Sequence, residues 1–204
     1  MAERGPIASD WAWSALTVSL AVGAVLAWPV NHEAIDWQPS LAWTQPWRAF
    51  TAVFVHYSAL HLAANLAGAV LVGALGHAVP VPPRCALAWL AAWPLTQLGL
   101  VVQPELTHYG GLSGVLHAGV VVVAVHLLFV GTRTQRRIGW AILAVLGFKV
   151  LREAPWEGAL RHPEGWDIAV APLAHATGAI AGAICGTLAE WRHRMSSRVS
   201  NIAR

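Results

Sequence analysis

Residues 110–130 read GGLSGVLHAGVVVVAVHLLFV, with no Asp, Glu, Lys or Arg anywhere in the run. A helix needs about 20 mostly apolar residues to cross hydrocarbon, so Ser113–Val130 predicts a membrane span. Glycines flank the serine that opens it. They let the backbone turn sharply and let another chain approach. The free N–H groups and positive dipole end of a helix start also favour an anion. Acyl transfer to a serine needs that environment for its oxyanion. Taken alone, Ser113 reads as a helix N-cap; partners on other spans reverse that reading.

Working outward, the sequence predicts five more spans: Trp11–Val30, Val53–Gly76, Arg84–Val102, Ile138–Leu151 and Ile168–Leu188. The chain is 56% hydrophobic and 11% charged over 204 residues. Soluble domains carry about 25% charged residues, so lipid is the expected solvent. The length allows one domain, 1–204, and its end, 189–204, reads as a basic cytoplasmic tail. The first span reads as a retained helix. Cys85 and Cys185 match no metal or disulfide spacing and read as small core residues. No cofactor or metal is expected.

The net charge of +3 is almost all arginine, with Lys149 the only lysine. These arginines mark topology, so nucleic acid is not an expected partner. Arg4, Arg84, Arg133, Arg136, Arg137, Arg192, Arg194, Arg198 and Arg204 fall at the termini and even-numbered connections. The odd connections hold Arg48, Arg152 and Arg161 among seven acids. The positive-inside rule therefore predicts both termini in the cytoplasm, consistent with six spans. Trp11, Trp13, Trp28, Trp140 and Trp191 lie near predicted span ends, where interfacial tryptophans gather. The first outer connection, about 31–52, is long enough to hold a short interfacial helix.

Polar groups at membrane depth are costly and mark function. His61 and Asn65 lie on the second span, Ser113 opens the fourth and His175 lies on the sixth. These three spans run in the same direction, and the four residues fall in their outer halves. A serine hydroxyl needs a base to take its proton, and His175 is the candidate. No Asp or Glu lies in the apolar part of any span, so a Ser113–His175 dyad is expected rather than a triad. His61 and Asn65 share a helix face and, with the Ser113 N–H, could hold an oxyanion. Ala174, Gly178, Gly182 and Gly186 form a smooth helix face for close packing. His117, one turn after Ser113, could stack on His175 and set its tautomer. His56 would flank the entry, and His108 reads as a solvated loop residue. His32, His77, His126, His162 and His193 receive no role.

The ordered set resembles the rhomboid intramembrane protease family. Trp47-Arg48 with Thr51 resembles the family's Trp-Arg motif, and His56, His61 and Asn65 match HxxxxHxxxN. Gly111-Leu112-Ser113-Gly114 matches GxSG, and His175 with Gly178 and Gly182 matches HxxGxxxG. The resemblance covers roughly 45–186 and implies an all-α, six-helix membrane bundle with an interfacial first loop. It is most similar to rhombosortases, with His117 standing where many rhomboids carry tyrosine. It implies Ser113 and His175 as catalytic groups and His61, Asn65 and the Ser113 N–H as oxyanion donors. His56, His117, Gly111, Gly114, Trp47 and Arg48 would surround them. The implied substrate is a membrane-anchored protein cut near a C-terminal transmembrane sorting segment that contains Gly-Gly. The fifth span is the expected lateral gate. Alternatives are an inactive rhomboid-like client-binding protein, or a haem electron carrier using His61 and His175.

Overall fold

The computed structural model describes residues 11–202. Its helices are α1 (Trp11–Leu26), α2 (His32–Ile35), α3 (Arg48–Thr51), α4 (Ala59–Ala78), α5 (Pro83–Leu98), α6 (Ser113–Val130), α7 (Arg133–Arg152) and α8 (Pro172–Ile202). Short 3-10 turns lie at Pro39–Leu41, Ala52–Phe54 and Gly99–Val102. Among the described residues no strand forms beyond two isolated bridges, Trp37 with Tyr109 and Arg161 with Val170. Membrane spans close their backbone hydrogen bonds internally, which is why apolar runs of this length become helices. Among the described residues four helices are long and apolar enough to cross a membrane: Ala59–Ala78, Pro83–Val102, Ser113–Val130 and Pro172–Ser200. The apolar α1 is shorter.

The run that opened the reading becomes α6, with the predicted boundaries. It is the central helix, buried from Gly114 to Leu127 with few breaks and packed against α4, α5, α7 and α8. Its tightest seam is with α8. A Cβ on Gly178 would strike the Gly114 carbonyl, and one on Gly182 the Ala118 carbonyl. Only glycine permits that approach. Large apolar side chains such as Val70, Leu71, Val145, Phe148, Ile180 and Ile184 face outward, as lipid-facing surfaces do.

Several boundaries move for local reasons. α7 begins at Arg133, five residues before the predicted span, because Thr132 and Gln135 form a reciprocal capping box. It is peripheral, with Gly139 its one buried residue. Residues 53–58 are a turn and loop; α4 starts only where Ser58 caps it through the His61 N–H. α8 runs unbroken through the region expected to be a tail. Within it Glu190 is 1% exposed. Trp13 is not interfacial. It is fully buried, donates to the Val72 carbonyl at 3.1 Å and packs on Trp89 with ring centroids 4.4 Å apart and planes tilted by 31°. Gly76 supplies the space, since a Cβ there would strike the Trp13 ring.

Candidate active site

Ser113 is the first residue of α6. Leu112 holds the N-cap position and makes no side-chain cap bond. The serine hydroxyl is therefore not spent on capping. Ser113 Oγ lies 2.9 Å from His175 Nε2 on α8. The glycine seam sets this distance: it draws Gly114 against Ala174 and Gly178, the neighbours of the two side chains. Gly111 turns the chain into α6 at φ +129°, a left-handed conformation that favours glycine. A Cβ there would lie 2.8 Å from His61 Nε2 and 3.7 Å from Asn65 Nδ2. Hydroxyl, imidazole and amide thus meet around one glycine turn.

A cavity of about 890 Å³ opens at this point. Ser113, His175, His61 and Asn65 line it, with α4 on one flank and α7 on the other. The loop pinned by Arg161 and Val170 closes it at the Ser113 end. His61 and Asn65 are buried, and Asn65 Nδ2 donates to the His61 carbonyl at 3.1 Å. The buried His61 Nδ1 has no hydrogen-bond partner. A buried polar atom without a partner is costly, and His61 carries that cost beside the cavity.

His117 stacks on His175, ring centroids 4.3 Å apart and planes 11° from parallel. Its Nδ1 lies 2.7 Å from the Ser113 carbonyl, which can only accept, so Nδ1 carries the proton. Its Nε2 is buried without a partner. His56 packs against His61 with ring centroids 4.8 Å apart.

The sequence reading missed one group. Glu153, just beyond the last turn of α7, places Oε2 2.6 Å from His175 Nδ1. Its Oε1 lies 2.6 Å from Lys149 Nζ, one turn back. No carboxylate was expected to reach His175, because none lies in an apolar run. Glu153 reaches it from outside the run, at a helix end that leans over the cavity. Burial pushes the Glu153 carboxyl up, but the bonds and charges of His175 and Lys149 outweigh it and hold it down at about 2. The signal that pointed to it was the chain's only lysine, placed inside an otherwise apolar span four residues ahead of an acid.

A family model described as Rhomboid domain matches residues 44–192. The chain belongs to the rhomboid family. Members of this family are in general intramembrane serine proteases, and with its apolar helices the chain is a multi-pass membrane protein. No curated protein matches it.

The expected Trp-Arg residues sit away from the cavity. Arg48 is buried in the first loop, where its guanidinium donates to Gln45 Oε1 at 2.6 Å and to the Glu33 and Asp36 carbonyls at 3.0 and 2.8 Å. It also pairs with Asp36 Oδ1 at 3.3 Å. Trp47 is 53% exposed. Neither residue lines the cavity; Arg48 ties the first loop together instead. His108 is an exposed loop residue, as expected, and its Nδ1 also lies 2.7 Å from Asp36 Oδ2. His126, given no role, binds the buried Glu190 at 2.8 Å, which Arg84 also grips at 3.1 Å. Cys85 Sγ stands 3.6 Å from the same carboxylate. His162, also given no role, lines the cavity.

Proposed function

We propose that this rhomboid is an active intramembrane serine endopeptidase, with Ser113 as nucleophile and His175 as base. The observation that carries the reading is the 2.9 Å approach of His175 Nε2 to a Ser113 hydroxyl free of capping. A substrate helix enters the cavity from lipid between α4 and α7, α7 being the gate. It unwinds there, because a helix hides its carbonyls in backbone bonds and a Gly-Gly segment weakens it. Ser113 Oγ attacks the peptide carbonyl carbon as its proton passes to His175 Nε2. The oxyanion is held by the Ser113 N–H with His61 and Asn65. The C–N bond breaks, and His175 gives the proton to the leaving amine. Water then attacks the acyl carbon and gives a proton to His175, which returns it to Ser113 Oγ as the new carboxyl leaves.

The residue pattern of rhombosortases extends this to substrate class: membrane-anchored proteins with Gly-Gly C-terminal segments. By the arginine distribution both termini lie in the cytoplasm and the cavity faces the outer side, with α1 and α7 joining the four long apolar helices as the six spans of the inner membrane. A direct test co-expresses the chain with a Gly-Gly-tailed membrane protein and maps the product by mass spectrometry. A fluorophosphonate probe should label the wild type and fail on Ser113→Ala. Processing that persists in both Ser113→Ala and His175→Ala would defeat the assignment.

A further inference from the structure

We propose that Glu153 is a positioning residue that fixes the working tautomer of His175 and keeps Lys149 from taking its place. The proposal rests on the protease reading above and replaces its pair with a chain of three groups, Ser113–His175–Glu153. The argument turns on His175 Nδ1, which has two neighbours. Glu153 Oε2 lies at 2.6 Å and Lys149 Nζ at 3.4 Å. A carboxylate only accepts and an ammonium only donates. Beside Glu153, Nδ1 carries the proton and Nε2 offers its lone pair to the Ser113 hydroxyl. Were Lys149 the partner, Nδ1 would accept, Nε2 would carry the proton, and Ser113 would face a donor where it needs a base. The two neighbours thus specify opposite tautomers, and the shorter, charge-assisted contact is to Glu153.

Lys149 is held in check by the same carboxylate. Its Nζ lies 2.6 Å from Glu153 Oε1, so one side chain occupies both the imidazole and the competing cation. The backbone supports this aim. Ala154, directly after Glu153, adopts φ +45°, a conformation that costs a non-glycine residue energy, and Pro155 follows. The helix is thus ended at Glu153, with its side chain over the cavity rather than continued along α7. The charged and titratable groups around His175 are His117 from α6, Lys149, Arg152 and Glu153 at the end of α7, Arg161 and His162 from the loop that follows, His61 from α4, and Tyr109 beside Ser113.

The test uses the full chain in proteoliposomes and the second-order rate of fluorophosphonate labelling of Ser113 across pH. Glu153→Ala should slow labelling by about 100-fold, less than loss of a fully buried triad carboxylate because Glu153 is partly exposed. Lys149→Ala should leave the rate within about threefold of wild type. The double variant Glu153→Ala/Lys149→Ala should label about tenfold faster than Glu153→Ala, because removing the competing donor frees the tautomer. The acid limb of the rate profile should move to lower pH in Glu153→Gln and to higher pH in Lys149→Ala. A purely structural carboxylate would produce neither the rescue nor the opposed limbs. Glu153→Gln keeps the volume and stands in if Glu153→Ala does not fold. Wild-type labelling in the Glu153 variants, with Ser113→Ala and His175→Ala silent, overturns this proposal alone. Labelling that survives Ser113→Ala overturns the protease reading beneath it.

Discussion

Glu153 and Glu190 stand at opposite ends of the same bundle, and each joins a histidine to a cation. Glu153 takes His175 and Lys149 at the Ser113 end. Glu190 takes His126 and Arg84 near the Val130 end. Their surroundings differ. Glu190 is 1% exposed, and its two oxygens are covered by Arg84, His126 and the Cys85 thiol. The Glu153 side chain is 27% exposed beside the cavity, and its histidine turns its other nitrogen to a hydroxyl. Similar groups therefore make a closed tie in one place and an open site in the other. What separates them is leftover bonding capacity next to space, not the kinds of residue present. On the proposed function, Glu190 locks α5, α6 and α8 together, and Glu153 serves the chemistry.

Four measurements would sharpen or break that contrast. The largest effect should be His175→Ala, cutting turnover of a cleavable membrane substrate by about 10⁴-fold or more. Its thermal unfolding in detergent should change far less, since its loss removes the tie to Glu153 but leaves the glycine seam of α6 and α8 intact. Next, Glu190→Ala should leave Arg84 and His126 facing an empty buried site and lower stability by about 3 kcal/mol, because broken buried pairs are costly. Folded Glu190→Ala protein should still label at Ser113; loss of labelling without loss of stability would erase the distinction between the two ends. Third, Asn65→Ala should reduce turnover by about 100-fold, roughly 2.7 kcal/mol of barrier, with little change in melting temperature. A melting temperature that falls as turnover holds would make Asn65 a structural tie like Glu190.

The smallest effect concerns acid. The Glu153 carboxyl is depressed from 4.5 to about 2 in the folded chain. A depressed carboxyl contributes stability that is whole above the unfolded value and lost as pH falls through the folded one. Melting temperature should therefore drop as pH falls from about 4.5 toward 2, and part of that drop should be missing in Glu153→Gln. An identical acid profile in the variant would show that Glu153 contributes nothing to the fold.

Much of this was legible in residue order. The apolar run after Ser113 marked its own helix, and the small face of α8 announced the seam that Gly178 and Gly182 make with Gly114 and Ala118. The Ser113, His175, His61 and Asn65 set was readable because polar groups stand out against an apolar background. Trp13 was misread because a tryptophan near a span end suits both an interface and a core; the space beside Gly76 decided between them. Arg48 was expected around the site, and its guanidinium is spent inside the first loop on the Glu33 and Asp36 carbonyls; a motif gives order along the chain but not the direction in which a guanidinium points.

The sequence by itself determined a helical membrane chain, the span that Ser113 opens, and the polar side chains carried by α4, α6 and α8. Hydropathy and spacing are local properties, and lipid makes them strict. Only the tertiary structure decided which acids matter. Glu153 and Glu190 look in sequence like any acids beyond an apolar run. Whether such a group meets water or a histidine depends on how its helix end leans across its neighbours, and that follows from packing between segments far apart in the chain.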